Sequence, residues 1–194
     1  VTMIGRRGCL AAISVAAAAA GPMARADTLS VPAQFGTLDA ALAVANAGDE
    51  IVREPGVYST VDMTFGGRDL TLRSIDPADP GVVAMTVLDA GGNGRVLRFS
   101  DGETDATRIA GLTLRGGTDF LGGGVSSAGA SPVFDRCVFE QCGSGQPITL
   151  GGAVAITGGS PAFERCEFRA NHAPLGGAVY ATTTGSPRFS LCRF

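Results

Sequence analysis

Apolar residues in the second half of the chain come in short pieces of three to six positions, such as Cys166-Glu167-Phe168, Ala153-Val154-Ala155-Ile156 and Ala162-Phe163. Gly, Ser, Pro, Thr and Asn separate them. No segment between 107 and 194 has the i, i+3, i+4, i+7 spacing of an amphipathic helix, so the pieces read as strands. The pieces also repeat. Ser131-Pro132-x-Phe134-x-x-Cys137-x-Phe139 returns from Ser160 and again from Ser186, at offsets of 29 and 26. Between the copies stand Gly123-Gly124-Val125, Gly151-Gly152-Ala153-Val154 and Gly176-Gly177-Ala178-Val179. A looser copy, Ile109-x-x-Leu112-x-Leu114, lies 25 residues earlier, and Leu70-Thr71-Leu72 is looser still.

A period of this length indicates a solenoid, a propeller or an array. Helical solenoids lack the required helices, and about 25 residues are too few for the four strands of a propeller blade. Three short strands per coil predict an all-β fold, a right-handed parallel β-helix in which like residues stack on successive coils. The constant positions then face inward: Cys137, Cys166 and Cys192, with Phe139, Phe168 and Phe194 two residues on. The residue between them varies (Val138, Glu167, Arg193) and faces water. The Cys column reads as soft interior packing, with disulfides along it as the alternative. The disulfide state of Cys137, Cys142, Cys166 and Cys192 stays open at this level. The glycine pairs mark turns of positive φ or close backbone approach. Asn171 reads as a turn residue in the left-handed region, bonded to neighbouring coils.

The N-terminal half fits as the capped start. Residues 37–47 are the one good helical stretch, with Thr37 as N-cap, Leu38, Ala41, Leu42 and Ala45 on one face, and Gly48 as the stop. Such a helix would blunt the open end of the solenoid. Gly48 to Tyr58 is expected to form a strand, a turn and another strand, with further strands at Leu70 to Arg73, Met85 to Leu88 and Arg95 to Phe99. Loops at 76–80 and 101–105 interrupt them.

Composition narrows the class. Gly is 29 of 194 residues, roughly twice the usual share. All 15 basic residues are Arg, and the formal net charge is −3. No apolar run reaches the ~18 residues of a membrane span. Residues 1–26 read as an export signal: Arg6 and Arg7, an apolar stretch from Leu10 to Ala20, then Ala24-Arg25-Ala26 before Asp27. Arg6-Arg7 with Cys9-Leu10 loosely resembles a twin-arginine signal. Cleavage leaves a β-helix domain over 27–194. It removes three arginines and no acid, taking the net charge to −6, a poor balance for a nucleic-acid partner. The expected location is therefore outside the cytoplasm: periplasm, cell surface or extracellular space.

Candidate chemistry is thin. Catalytic residues are unknown, and no cofactor or metal is expected: no C-x-x-C pair occurs, and the single His172 lies in a turn without a Ser or Cys partner. Outward acids Asp135, Glu140, Glu164 and Glu167 alternate with Arg136, Arg165, Arg169 and Arg193 and read as mixed surface charge. Asp135 and Glu164 fall at equivalent positions of successive coils, where two acids could share a cation or sugar hydroxyls. Asp101-x-Glu103-x-Asp105 has the alternating acids of a Ca²⁺ loop without its remaining ligands.

The stretch from Gln34 to Tyr58 resembles the entry of pectate-lyase-like β-helix proteins, a short helix followed by GD-x-I-x-x-x-P-G-x-Y, here Gly48, Asp49, Ile51, Pro55, Gly56 and Tyr58. Gly-Gly-Ala-Val at 151–154 and 176–179, with Phe168 to Asn171, is similar to repeats of polymorphic outer membrane proteins. The resemblance implies architecture more than activity, because its members include lyases, pectinesterases, hydrolases and adhesins. The expected role is an exported β-helix with a surface, structural or adhesive function, binding carbohydrate or a surface protein. The alternative is a polysaccharide lyase or glycoside hydrolase acting on acidic or plant-type polysaccharide. In that case Ca²⁺ and carboxylates would carry the chemistry. The chain stops at Phe194 in mid-coil, so a longer parent protein is expected.

Overall fold

A computed structural model describes residues 26–143, 149–182 and 184–194. The leader reading of 1–26 lies, apart from Ala26, outside them. The chain winds into a right-handed parallel β-helix of about six turns. Strand β1 (Thr28–Val31) and helix α1 (Leu38–Val44) open it. The second coil carries β2 (Glu50–Arg53) and β3 (Gly56–Ser59). The third carries β4 (Thr71–Ser74), a second helix α2 (Pro80–Met85), β5 (Thr86–Asp89) and β6 (Leu97–Phe99). The next three coils each supply three strands. These are β7 (Arg108–Ala110), β8 (Thr113–Arg115) and β9 (Val125–Ser127); then β10 (Val133–Asp135), β11 (Val138–Glu140) and β12 (Val154–Ile156); then β13 (Ala162–Glu164), β14 (Glu167–Arg169) and β15 (Val179–Ala181). Strand β16 (Arg188–Ser190) begins another coil.

Three parallel sheets result. The seven-stranded sheet runs β1-β2-β4-β7-β10-β13-β16, the five-stranded sheet β14-β11-β8-β5-β3, and the four-stranded sheet β15-β12-β9-β6. Register makes the columns expected from the repeat. Phe134 pairs with Phe163, and Phe163 with Phe189; Phe139 pairs with Phe168. Ring centroids of stacked neighbours lie 4.7–5.0 Å apart, the spacing of adjacent strands. Cys137, Cys142 and Cys166 are buried free thiols. Each Sγ faces backbone carbonyls, with Cys166 on Phe134 O at 3.5 Å. The column is packing, and among the described residues no disulfide links it.

The corners correct the sequence reading. The left-handed residue after β8, β11 and β14 is Gly116, Gln141 and Ala170 in turn, not Asn171. Asn171 does bond the neighbouring coil as expected, accepting from Cys142 N at 3.0 Å and donating to Phe139 O at 2.9 Å. At the preceding corner the bend falls on Gly111, Arg136, Arg165 and Leu191. The glycine alignment also slips by one. Val125 pairs with Val154, so Gly122-Gly123 match Gly151-Gly152, and Gly124 stands where the next coil has Ala153. Close approach is real there: a side chain at Gly152 would run into the Gly177 carbonyl.

Helix α1 covers the N-terminal end with Leu38, Ala41 and Leu42, and Thr37 Oγ1 accepts from Ala40 N as foreseen. Ala45, not Gly48, is its C-cap. Arg68 donates to Leu42 O and Ala45 O, each at 2.8 Å, serving the helix's last carbonyls. Helix α2 was not expected. It is a single short element capped by Asp79, whose Oδ1 accepts from Gly81 N, with Pro80 as its first residue.

Three carboxylates fasten the loops. Asp49 accepts from Asn46 N at 2.7 Å and Asp27 N at 2.9 Å, and these bonds hold its pKa below the ordinary carboxylate value. Burial alone would raise Asp69 and Asp89. Thr107 and Thr104 outweigh it at the first, Arg115 and Gly91 N at the second, and both end lowered. A lowered carboxylate contributes stability above its unfolded value and loses it as pH falls through the folded one. The melting temperature should therefore drop steeply below about pH 4, and Asp49→Asn should remove part of that dependence. A flat profile from about pH 5 to about pH 2 would contradict these bonds.

Candidate functional site

The outward face of the five-stranded sheet carries charge in register. Asp89, Arg115, Glu140 and Arg169 are partners on four successive strands and alternate in sign. Arg115 Nη2 lies 2.6 Å from Asp89 Oδ2, and Arg169 Nη2 lies 2.7 Å from Glu140 Oε2. At the adjoining corner Asp135 and Glu164 are register partners as expected, but they do not share an open cation site. Arg165 bridges them, 2.6 Å from Asp135 and 3.3 Å from Glu164, while Arg136 holds the second oxygen of Asp135 at 2.7 Å. The hydrogen bond and charge of Asp135 raise the Arg165 pKa further.

Helix α2 and the 77–80 loop stand beside this charged face as an apolar wall. Pro77, Pro80, Val83 and Ala84 lie opposite Arg136, Arg165 and Arg169, with Val138 between, around a groove of about 370 Å³. The helix is held by Thr113 Oγ1, which donates to Val83 O at 2.9 Å. Each guanidinium has donors left over after its ion pairs, since Arg carries five N–H groups. The groove thus offers two cations at strand spacing, Arg136 and Arg165 at equivalent corners ~4.8 Å apart, a third, Arg169, further along the coil of Arg165, and one acid, Glu167, against a hydrocarbon ledge. An acidic chain molecule with an apolar ring face fits that chemistry.

A second concavity lies at the α1 end. Strand β1 extends the seven-stranded sheet by one rung, but the five-stranded sheet ends at β3. Helix α1 covers only part of the step, leaving a cleft of about 700 Å³. Its lining includes Arg53, Tyr58, Asp39 and Asp62. Arg53 is 1% exposed, and its Cζ lies 3.3 Å from the Tyr58 ring centroid. Its Nε and Nη1 have no hydrogen-bond partner. Burial pulls its pKa below the ordinary arginine value, opposed by the charges of Tyr58 and Asp39. The sequence reading passed over this residue.

The other candidates are structural. Glu103 is buried and accepts from Gly67 N and Asp101 N, so its carboxylate tethers a loop. His172 is exposed, and its backbone N–H donates to Cys142 O in the coil below. Burial pushes the Cys142 thiol up to about 11. The Cys137 sulfur and burial push Cys166 up as well, so neither is poised as a nucleophile. Among the described residues no three His, Cys, Asp or Glu side chains cluster to hold a metal. Among the described residues no helix is long and apolar enough to cross a membrane. The displaced carboxylates, Asp49, Asp69 and Asp89, all move toward ionisation, opposite to what a general acid needs.

No family model and no curated protein matches the sequence. Two solved structures are similar in fold. A pectin methylesterase from Aspergillus niger superposes with a TM-score of 0.57 at 14% identity, over 89% of this chain and 56% of that one. A pectin methylesterase mutant in complex with a hexasaccharide superposes with a TM-score of 0.47 at 18% identity, over 77% of this chain and 50% of that one. The chain spans about half the length of these proteins.

Proposed function

We propose that the chain is an exported carbohydrate-binding β-helix that holds an acidic polysaccharide along the groove between α2 and the five-stranded sheet. The observation that carries this reading is the groove itself: Arg136 on one coil and Arg165 and Arg169 on the next line it together with Pro77, Pro80 and Val83. Successive sugar carboxylates meet successive guanidinium groups, and sugar rings rest on the proline and valine surface. A fold shared with a pectin methylesterase supports polyuronate as the first ligand to try. Export rests on Arg6, Arg7, the apolar stretch to Ala20 and the Ala24-Arg25-Ala26 junction. An exported chain would meet such polymers.

The test is calorimetric titration of the chain with polygalacturonate. Arg169→Ala should weaken binding about tenfold through loss of a charge-assisted contact. It should leave the melting temperature nearly unchanged, because half-exposed ion pairs contribute little. Unchanged affinity in this variant, or no binding by the parent, contradicts the reading. Turnover would move the chain to the enzymatic alternative. Its signs are ultraviolet absorbance from an unsaturated product with Ca²⁺, or methanol from the methylated polymer.

A further inference from the structure

Arg53 follows Ile51 on the same side of β2, so strand alternation turns both side chains inward. Its register partners are Val31 and Ser74, both fully buried. An arginine at such a place is normally paired. Among the described residues no carboxylate pairs with it, and the Ser74 Oγ beside it is buried and unpartnered too. The two orphaned donors of Arg53, Nε and Nη1, leave unmet hydrogen-bonding capacity on a cation that lines the cleft.

The cleft says which anion suits it. A dianion such as phosphate meets repulsion from Asp39 and Asp62. The second arginine in the lining, Arg68, has Nε and Nη1 committed to the carbonyls of Phe65, Leu42 and Ala45, which leaves Nη2 alone for a ligand and no two-nitrogen fork. A single carboxylate matches one guanidinium fork. Thr37, Ser59, Thr60 and Thr64 surround the opening with hydroxyls, over an apolar floor of Leu42 and Met63. Among the described residues Asp39 forms no ion pair and can accept from ligand hydroxyls, whereas Asp62 is shared between Arg95 and Arg98 at 3.0 and 3.3 Å. Tyr58 covers the guanidinium, and its own anchor is one bond from its hydroxyl to Glu54 O at 2.7 Å.

We propose that the helix-capped end cleft binds a monomeric or chain-terminal sugar acid, whose carboxylate pairs with Arg53 once the Tyr58 ring swings aside. The site is separate from the lateral groove and shares with it only the chemistry of the ligand. Tyr58 reports on its own occupancy, because the chain has two tyrosines and no tryptophan. In a Tyr180→Phe background every tyrosine signal comes from Tyr58.

The probe is D-galacturonate, titrated into the Tyr180→Phe chain while near-ultraviolet circular dichroism and melting temperature are followed. A saturable change in the Tyr58 signal and a rising melting temperature are expected. Arg53→Met should fold with undiminished stability in the absence of ligand, since it removes an unpaired buried charge, and should lose both responses. Arg53→Lys keeps the charge without the fork and should bind about tenfold more weakly; it carries the test if Arg53→Met does not fold. Arg169→Ala should respond as the parent does, which separates this site from the groove. The proposal is overturned by a silent parent, by a folded Arg53 variant with parental affinity, or by loss of response in Arg169→Ala. Galactose or acetate acting as strongly as galacturonate overturns it as well, the first by removing the carboxylate requirement and the second by removing that for the sugar.

Discussion

Replacing Phe168 by aspartate is expected to abolish the folded state. The Phe168 ring is 3% exposed and lies parallel to Phe139 below and Phe194 above, at centroid distances of 4.7 and 4.8 Å. It also meets Phe163 edge-on at 5.9 Å. Aspartate would remove those contacts and leave a carboxylate without a partner in the column. The loss is roughly 4 kcal/mol or more, against a total stability of order 5–15 kcal/mol for a domain. Phe168→Leu, which keeps the apolar volume approximately, should cost only about 1–2 kcal/mol. Circular dichroism and thermal melting read both. An aspartate variant that melts like the parent would show that position 168 does not face the interior.

Gly151→Val is the second large effect. The residue has a φ of +68°, and a Cβ placed there would run into the Val154 carbonyl and come within 3.0 Å of Tyr180 N. Both obstacles are backbone, so neither can turn aside. The left-handed conformation alone costs a β-branched residue about 1–3 kcal/mol, and the collision forces the turn open. The turn sits directly before β12, whose partners are β9 and β15. A loss of about 3 kcal/mol or more is expected in denaturant unfolding. Gly129→Ala is the control: φ is also positive, but the added methyl meets nothing within 4 Å. Equal losses in the two would mean that conformation, not close approach, decides the glycine at 151.

The columns were legible because the repeat keeps residue type at inward positions while outward neighbours drift. Phe163 and Phe168, two strands of one coil, could be placed from spacing alone. Where the chain departs from the repeat, legibility fails for identifiable reasons. The run Gly122-Gly123-Gly124 offers two pairings with Gly151-Gly152, and only the valine register decides between them. The left-handed bends fall on Arg136, Arg165 and Ala170, residues without the usual preference for that region; a tight corner imposes the conformation. Helix α2 is six residues long, too short for periodicity, although Asp79-Pro80 carried a cap and first-turn signal.

The candidate sites divide similarly. Arg136, Arg165 and Arg169 were visible as outward charges, but the apolar wall that makes a groove of them comes from the unexpected helix. From Arg115 on, the Asp89-Arg115-Glu140-Arg169 ladder keeps the repeat's own offsets of 25 and 29, and only Asp89, on the irregular coil before the repeat, lay outside what the spacing shows. Arg53 was in principle readable, two positions from Ile51 on the same strand face. Its lack of a partner was not, because that depends on how α1 and β1 cover the end of the solenoid.

The account rests above all on coils stacked in parallel register, and nuclear Overhauser contacts between the rings test it most directly. With Phe139, Phe168 and Phe194 selectively labelled, the stack predicts ring-to-ring cross-peaks from Phe168 to both others, at centroid distances of 4.7 and 4.8 Å. Absence of those cross-peaks, together with close Hα–Hα contacts between β11 and β14 of the kind antiparallel strands give, would contradict it.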